Sequence, residues 1–226
     1  MAQLCARLDY EFLNPDLAHT ALTHRSAGGQ NNERLEFLGD AMLDLVISEY
    51  LYEHRPDASE GDLSRLRASL VKRESLAVIA NEMGLGDYLT LGSGELRTGG
   101  FSRKSILADA LEALLAAIYL DRGYPAAKKV VLYLFAERLE NLPASAALRD
   151  PKTRLQEWLQ GRGMAIPAYE VIAVSGQAHE QQFQVECQVE SLAFRAIGNG
   201  TSRRRAEQDA ASGMLQQISD GQKSSS

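Results

Sequence analysis

Apolar residues recur every three or four positions through most of residues 1–142, which is the spacing of the buried face of a helix. Turn signals interrupt this spacing before Pro56, around Gly84 and in the glycine-rich run LGSGELRTGG. That run lacks the third glycine of a dinucleotide-binding fingerprint and the Gly-Lys-Ser/Thr of a P-loop, so it is interpreted as a turn. The pattern predicts an all-helical domain over residues 1–142.

A different pattern follows residue 150. The segment QFQVECQVE alternates apolar and polar residues, which predicts a strand with Cys187 on its buried face. The segments TRLQEWLQ before it and TSRRRAEQDAASGMLQQI after it have helical spacing. The remainder of the chain is therefore divided into a linker over residues 143–150, a small domain over 151–219 in the order helix, strands, helix, and a disordered tail over 220–226.

With 226 residues, of which 45% are hydrophobic, the chain has enough apolar side chains for packed cores. Its first residues, MAQLCARLDYEF, lack the basic start and apolar core of a signal peptide. The longest apolar run, ALLAAIYL, is too short to cross a bilayer. Cys5 and Cys187 match no metal-ligand spacing and no disulfide framework. These features predict a cytoplasmic protein with no membrane partner.

The formal charge of -6 argues against a partner that is held only by bulk positive charge. Residues 1–150 carry 16 basic and 22 acidic side chains, whereas residues 151–219 carry 7 of each. The acidic excess therefore lies in the first domain, and a polyanion would need a local basic patch.

One such patch is predicted at the start of the last helix. Thr201 or Ser202 can cap this helix, whose first turn then carries Arg203, Arg204 and Arg205. Basic residues at a helix N-terminus oppose the helix dipole unless an anion lies nearby. Because helix N-termini also bind phosphate, the segment is interpreted as a contact with a nucleic-acid backbone. The alternative is a solvated run of charge.

The segment ERLEFLGDAMLD carries four acids on one face of a helix, at about 100° per residue. These acids are Glu33, Glu36, Asp40 and Asp44. An ordinary amphipathic helix with its acids in water would give the same spacing. No lysine or arginine stands four residues after any of the four, however, and apolar residues flank the stripe. The acidic face is therefore predicted to be half-buried.

A second helix, SILADALEALLAAIYLDRG, is apolar on nearly every side and yet carries Asp109 and Glu112. Burying an ionised carboxylate without a partner costs several kcal/mol or shifts its pKa. If the two helices pack together, Glu36, Asp40, Asp109 and Glu112 form an all-oxygen cluster of the kind that Mg²⁺ or Mn²⁺ prefers. A di-iron bundle would need a Glu-x-x-His pair, which the sequence lacks. Carboxylate-held Mg²⁺ points to phosphodiester hydrolysis.

His24 and Ser26 lie close together in the sequence, but no third group is placed to orient them as a base and a nucleophile. A loop or capping role is therefore predicted for the pair.

Three segments, NERLEFLGDAMLD, EGDLSRLR and SILADALEALLAAIYLD, together resemble the nuclease domain of bacterial ribonuclease III. The segments LQEWLQ, GQAHEQQF and GNGTSRRRAEQDAA are similar to a double-stranded RNA-binding domain. The resemblance covers about residues 5–218, which is nearly the whole chain.

This resemblance implies a two-domain fold, an all-α nuclease and dimerisation domain followed by a small α+β domain in the order α-β-β-β-α. It implies a homodimeric, Mg²⁺-dependent endoribonuclease that cuts both strands of an RNA duplex and leaves 5′-phosphate and 3′-hydroxyl ends with short 3′ overhangs. It also implies roles in ribosomal RNA processing and in messenger RNA maturation and turnover. Mn²⁺ is expected to substitute for Mg²⁺.

By the same resemblance, the metal-binding catalytic acids are Glu36, Asp40, Asp109 and Glu112. Glu33 and Glu60 are implied as supporting acids. Asp44 shares the stripe but lies outside the family's catalytic set, so it is interpreted as structural or peripheral.

In the second domain the resemblance assigns Gln156, Glu157 and His179 to the RNA minor groove. The segment from Ser202 to Arg205, which includes Arg203 and Arg204, is assigned to phosphates across the major groove. In A-form RNA the wide minor groove displays 2′-hydroxyls and the narrow major groove exposes phosphates, so the domain is expected to recognise the shape of the duplex more than its sequence. Where many such domains carry lysine, this chain has Gln181 and Glu207. Modest, salt-sensitive affinity of the isolated domain is therefore expected.

Two other classes of protein fit parts of the pattern. A non-catalytic double-stranded RNA-binding regulator could keep the nuclease fold only for dimerisation, but all four core acids are present. A magnesium-dependent hydrolase of small phosphates would leave the arginine-rich helix start unexplained. Only the hydrolase is expected to act on free nucleotides.

Overall fold

The computed structural model of the chain describes residues 1–142, 149–177 and 180–223. The contacts divide the chain into two compact units, residues 1–145 and 146–226. Among the helices that are described, none is long and apolar enough to cross a membrane.

The first unit is built from seven helices among its described residues. They are α1 (Ala2–Leu8), α2 (Pro15–Ala21), α3 (Glu33–His54), α4 (Glu60–Val71), α5 (Arg73–Glu82), α6 (Ser93–Arg97) and α7 (Lys104–Glu140). Asn14 caps α2 and Ser59 caps α4 by accepting hydrogen bonds from Asp16 N and Asp62 N. The predicted all-helical domain is thus confirmed.

The centre of this unit is α7, which packs against α3 and is also covered by α2 and α5. Eleven residues from Ile106 to Ile118 have completely or almost completely buried apolar side chains, so the predicted interior helix is confirmed. Helical dihedrals break at Arg122 and Gly123, where Gly123 has a φ of 76°. An L side chain rarely adopts this φ, which explains why glycine stands at the predicted end of the segment.

A corner beside α3 and α7 joins segments that are distant in the sequence. Thr23 and Thr90 form an isolated parallel bridge. His24 N donates to Thr90 O at 3.0 Å, and Asn32 N donates to Thr23 O at 2.9 Å. Gly92 lies so close to this corner that an added Cβ would be 2.1 Å from Ser26 O. The glycine-rich run, predicted to be a turn, instead contains the short helix α6, and its Gly92 serves close packing.

The second unit consists of α8 (Pro151–Gln160), β1 (Ala168–Ser175), β2 (Gln182–Val189), β3 (Phe194–Gly200) and α9 (Arg203–Lys223). The strands form an antiparallel sheet in the order β1-β2-β3. Both helices pack against each other, and α9 covers β2 and β3. The expected order α-β-β-β-α is confirmed.

The core of this unit lies between the sheet and the two helices. Val185, Cys187 and Val189 are buried on one face of β2, as the alternating pattern predicts. Cys187 and Val189 pack with Leu155 and Leu159 of α8 and with a row on α9, Ala210, Ala211, Met214 and Ile218. Burial raises the pKa of the Cys187 thiol, which agrees with a packing role.

The predicted tail is partly wrong. Helix α9 continues to Lys223, so residues 220–223 are helical instead of disordered. Asp220 accepts hydrogen bonds from Gln216 one turn earlier, which extends the helix beyond its apolar row. Residues 224–226 lie outside the described residues, as do residues 143–148 of the predicted linker.

Candidate metal centre and RNA-binding face

The predicted acids of α3 and α7 meet because the two helices approach each other closely at Gly39. A Cβ atom on Gly39 would lie 1.9 Å from the backbone oxygen of Glu112. Only glycine permits this approach. It brings the turn of α3 that carries Glu36 and Asp40 against the turn of α7 that carries Glu112.

Carboxylate oxygens of Glu36, Asp109 and Glu112 all lie within 4.8 Å of one another. Each of the three residues is half-buried. Asp40 is exposed and not part of this group, but it is close enough to be the largest electrostatic influence on Glu112. Oxygen ligands at this spacing fit a hard divalent cation. The acidic cluster can therefore hold a divalent metal.

Burial, followed by the negative charges of Asp40, Asp109 and Glu36, raises the pKa of Glu112 to about 8. Burial is also the main cause that raises the pKa of Glu36 and of Asp109. Arg73 opposes these increases at all three carboxyls but does not cancel them. A bound cation would stabilise the ionised carboxylates, whose charge is otherwise unfavourable at this half-buried position.

The other acids of the stripe lie around this cluster. Glu33 is exposed and forms a 3.5 Å ion pair with Arg25. Asp44 is half-buried and lies 3.8 Å from Arg67, which agrees with the structural interpretation. Glu60, at the start of α4, accepts a 2.8 Å hydrogen bond from Ser64. Among the described contacts, none connects Glu60 with the cluster.

A polar cavity of about 360 Å³ adjoins the cluster. Its lining includes His24, Arg25, Asn32, Glu33, Glu36, Glu95, Arg103, Ser105 and Asp109. Sequence reasoning missed Asn32, Arg103 and Ser105 as site residues. Asn32 and Ser105 stand inside or beside the segments that resemble ribonuclease III, but neither has a spacing that signals chemistry.

The pair His24 and Ser26 caps a short helical turn at this corner. His24 Nδ1 accepts from Ser26 N at 3.2 Å, and Ser26 Oγ lies 2.8 Å from the same nitrogen. Ser26 Oγ also accepts from Gly92 N at 2.9 Å. The hydroxyl is thus engaged in holding the loop, and the predicted capping role is confirmed.

The basic start of α9 has the predicted cap. Ser202 Oγ accepts from Arg205 N at 3.3 Å. All three arginines are exposed, but they have different partners. Arg203 donates to Glu207 at 2.9 Å, and Arg205 donates to Thr201 Oγ1 at 3.0 Å. The arrangement presents cationic groups at a helix N-terminus, which is a kind of site that binds anions.

Glu207, one of the two departures from the usual lysines, is almost buried between two cations. Lys152 Nζ lies 2.6 Å from it and Arg203 Nε 2.9 Å. The hydrogen bond from Lys152 is the main cause that lowers the pKa of Glu207. Lys152 also lies over the Tyr169 ring, 4.5 Å from its centroid. Glu207 therefore ties α9 to α8 and reduces the net positive charge of this face.

Both predicted minor-groove residues of α8, Gln156 and Glu157, are exposed, and Glu157 forms an ion pair with Arg149. Gln181 is exposed just before β2. His179 lies outside the described residues, so its assignment stays a prediction.

Two family models match the chain. The Ribonuclease-III-like family matches residues 14–139, and the double-stranded RNA binding motif matches residues 151–218. Ribonuclease 3 of Nitrosococcus oceani is 54% identical over 217 residues, which cover 95% of this chain and 93% of that protein. Ribonuclease 3 of Vibrio cholerae is 51% identical over 221 residues, which cover 98% of both chains.

Solved structures agree with these matches for the first unit. A nuclease domain of ribonuclease III from Campylobacter jejuni has a TM-score of 0.60 and 46% identity, and the match covers 63% of this chain and 98% of that one. A second structure of that domain, described for flexibility in a region involved in dimer formation, has a TM-score of 0.59 and 48% identity, covering 60% and 95%. The chain belongs to the ribonuclease III family.

Proposed function

We propose that the protein is an endoribonuclease that hydrolyses double-stranded RNA with Mg²⁺ and leaves 5′-phosphate and 3′-hydroxyl ends with short 3′ overhangs. The observation that carries the proposal is the cluster of Glu36, Asp109 and Glu112 within 4.8 Å in a chain that also has an α-β-β-β-α domain. Membership of the ribonuclease III family supports it. Family-typical roles in ribosomal RNA processing and messenger RNA turnover, and a cytoplasmic location consistent with two free cysteines, belong to the same proposal.

Glu36, Asp40, Asp109 and Glu112 would hold the Mg²⁺, and Mn²⁺ offers the same preference for oxygen ligands. When bound, the ion activates water and stabilises charge at the phosphate. The chain's own contribution is position, because the contact at Gly39 fixes the two helices that carry the ligands. We assign supporting roles to the exposed acids Glu33 and Glu60.

The α-β-β-β-α unit would bind the duplex by its shape. Gln156 and Glu157 of α8, with His179, would contact the minor groove. The segment from Ser202 to Arg205 would contact phosphates across the intervening major groove. Because Glu207 neutralises part of this face, we expect the salt dependence to reflect fewer than all of its cations.

A homodimer would bring two acid clusters to one duplex. Phe37 is 81% exposed, although it lies directly beside Glu36 on α3. A groove lined by Leu35, Leu38 and Leu120 adjoins the same part of the helix. A large exposed ring next to an apolar groove is typical of a protein–protein interface. We therefore place the dimer contact at this end of α3.

The proposal is tested by incubating the purified chain with an end-labelled RNA duplex in Mg²⁺, in Ca²⁺ and in chelator, with separation at single-nucleotide resolution. We expect cuts on both strands, offset to give 3′ overhangs, only with Mg²⁺ or Mn²⁺. Binding without cutting in any metal would favour the non-catalytic regulator. Hydrolysis of free nucleotides in a parallel assay would favour a small-phosphate hydrolase.

Replacing Phe37 with Asp is expected to make the protein monomeric. Burial of one such ring contributes about 1.5–3 kcal/mol, and a symmetric interface contains it twice, so the dissociation constant should rise at least about 100-fold. Sedimentation velocity over a range of protein concentrations measures this change. Ile166, which is 63% exposed in the other unit, is the matched control for the same substitution. A dimer of unchanged affinity in the Phe37 variant would contradict the placement.

Replacing Arg203 and Arg204 together with alanine is expected to weaken binding of all duplex sequences alike. Each phosphate contact that is lost should reduce the slope of log affinity against log salt by about 1. Binding is measured in Ca²⁺ across a salt series with two duplexes of unrelated sequence. Arg195, which pairs with Glu186 on the sheet, is the control position. A loss restricted to one of the two sequences would contradict phosphate contact.

A further inference from the structure

The cavity beside the acid cluster contains a buried hydrogen-bond donor that has no partner. Asn32 is only 2% exposed and lines this cavity. Its Nδ2 atom has no hydrogen-bond partner among the residues that the structure describes. Native proteins pair nearly all such buried groups, and an unpaired one costs about 1–3 kcal/mol. A ligand that supplies an acceptor would remove this cost.

A second donor faces the same space. His24 Nδ1 accepts the hydrogen bond from Ser26 N, so the proton of the neutral ring is on Nε2. The ring lines the cavity and is held by Ser26, whose N and Oγ lie 3.2 Å and 2.8 Å from Nδ1, while the backbone N of His24 donates to Thr90 O. Because Asn32 N donates to Thr23 O, the two donors are held at one corner.

The charges around the cavity leave room for an anion. Glu33 is paired with Arg25 at 3.5 Å, and Glu95 with Arg103 at 3.0 Å. Glu36 and Asp109 face the metal cluster, where a divalent cation would neutralise them. Glu95 Oε2 has no hydrogen-bond partner among the described residues, but the Arg103 guanidinium balances its charge. The other groups that remain to contact a ligand are mainly donors, which suit an oxygen atom with negative charge.

We propose that this cavity binds a non-bridging oxygen of the phosphodiester that flanks the one being cut, with Asn32 Nδ2 and His24 Nε2 as hydrogen-bond donors. The proposal rests on the proposed cleavage of RNA. It makes Asn32 and His24 substrate-binding residues, which place the strand in line with the metal cluster. Because the phosphodiester that they would contact is not the one being cut, they would contribute through position.

The test uses duplexes with a single phosphorothioate of defined stereochemistry at the cut phosphate or at one of its two neighbours. In the wild-type protein we expect one stereoisomer at one neighbouring position to slow single-turnover cleavage about tenfold, the value of one hydrogen bond to a charged group. Mn²⁺ should restore cleavage when the sulfur contacts a metal, but not at this neighbouring position, because sulfur there faces amide and imidazole donors.

The Asn32→Ala variant should cleave unmodified RNA about tenfold more slowly than the wild type. Its cleavage rate should not fall further when sulfur is placed at that neighbouring position. Its melting temperature should stay within about 3 °C of the wild type, since the lost amide group has no protein partner. Asn81→Ala is the matched control, because Asn81 is an exposed asparagine at the end of α5. It should retain the full effect of sulfur.

A second variant, His24→Asn, keeps an acceptor for Ser26 N and removes the Nε2 donor, so it tests the site even if Asn32→Ala does not fold. It should also lose the effect of sulfur. The same sulfur sensitivity in wild type and in folded Asn32→Ala, or no sensitive neighbouring phosphate in the wild type, would overturn the proposal. A wild-type protein that does not cut RNA at all would overturn the proposed function with it, and the two failures are thereby distinguished.

Discussion

Glu112→Gln is expected to abolish cleavage and to leave duplex binding nearly unchanged. The substitution keeps the size of the side chain but removes one charged metal ligand from the cluster, and it removes no predicted contact with phosphate. Loss of a residue that merely supports a metal ligand typically costs 10–100-fold, so loss of the ligand itself should cost more than about 100-fold. Single-turnover cleavage in Mg²⁺ and binding in Ca²⁺ measure the two properties separately.

The same variant should be more stable than the wild type when metal is absent. The pKa of Glu112 is about 8 in the folded protein, above its ordinary value of 4.5. The unfolded chain therefore releases the proton at lower pH than the folded protein does. As pH rises from about 4.5 to 8, the wild type loses stability, and the loss is complete above pH 8. Glutamine has no such proton, so it avoids this loss.

Solvent screening reduces the effect, because Glu112 is only partly buried, and we expect the variant to gain about 1–2 kcal/mol at pH 8 in chelator. This gain corresponds to a melting temperature roughly 3–6 °C higher. Mg²⁺ should raise the melting temperature of the wild type and have little effect on the variant. Glu137→Gln, at an exposed position of the same helix, is the control for the change of charge. Full cleavage activity in Glu112→Gln would contradict the assignment of a metal ligand.

Much of the fold is predictable because each part depends on local periodicity. The spacing of three to four before residue 142 and the alternation in QFQVECQVE place the helical domain and strand β2 correctly. Residues 220–223 are different, because polar residues give no periodic signal and the helix there is extended by hydrogen bonds from Gln216 to Asp220.

The candidate site divides in the same way. The cluster of Glu36, Asp109 and Glu112 is predictable, because buried carboxylates on two apolar helices need a cationic partner and a shared metal ion supplies one. Asn32 is not, because its importance depends on a loop that the Thr23–Thr90 bridge places beside it. Glu207 is noticed in the sequence only as a missing lysine, and its two cationic partners appear only when α8 and α9 pack together.

Gly39 is the clearest case of information that only packing reveals. Within NERLEFLGDAMLD it is one of two small residues, and a glycine inside a helix ordinarily costs about 1 kcal/mol relative to alanine. On helix propensity alone, Gly39→Ala should therefore stabilise the protein. The structure predicts the opposite sign, because the new Cβ would lie 1.9 Å from the backbone oxygen of Glu112.

Gly39→Ala is expected to cost at least about 3 kcal/mol of stability, at the upper end for overpacking, because a backbone atom cannot move aside as a side chain can. The two helices must separate by more than about 1 Å to restore ordinary contact, and displacement of this size at a catalytic site can cost about 100-fold in rate. Urea unfolding and single-turnover cleavage measure the two losses.

Gly94→Ala is the control, since a Cβ there meets no atom within 4 Å. It should change neither stability nor cleavage by more than a small factor. If Gly39→Ala were as stable and as active as the wild type, the close contact of α3 and α7 would not determine the metal centre. If it were unstable but fully active at low temperature, the contact would stabilise the helix pair without positioning the acids. Loss of both properties is what we expect, because the same atom of Glu112 that limits the approach of α3 belongs to the residue whose carboxylate completes the cluster.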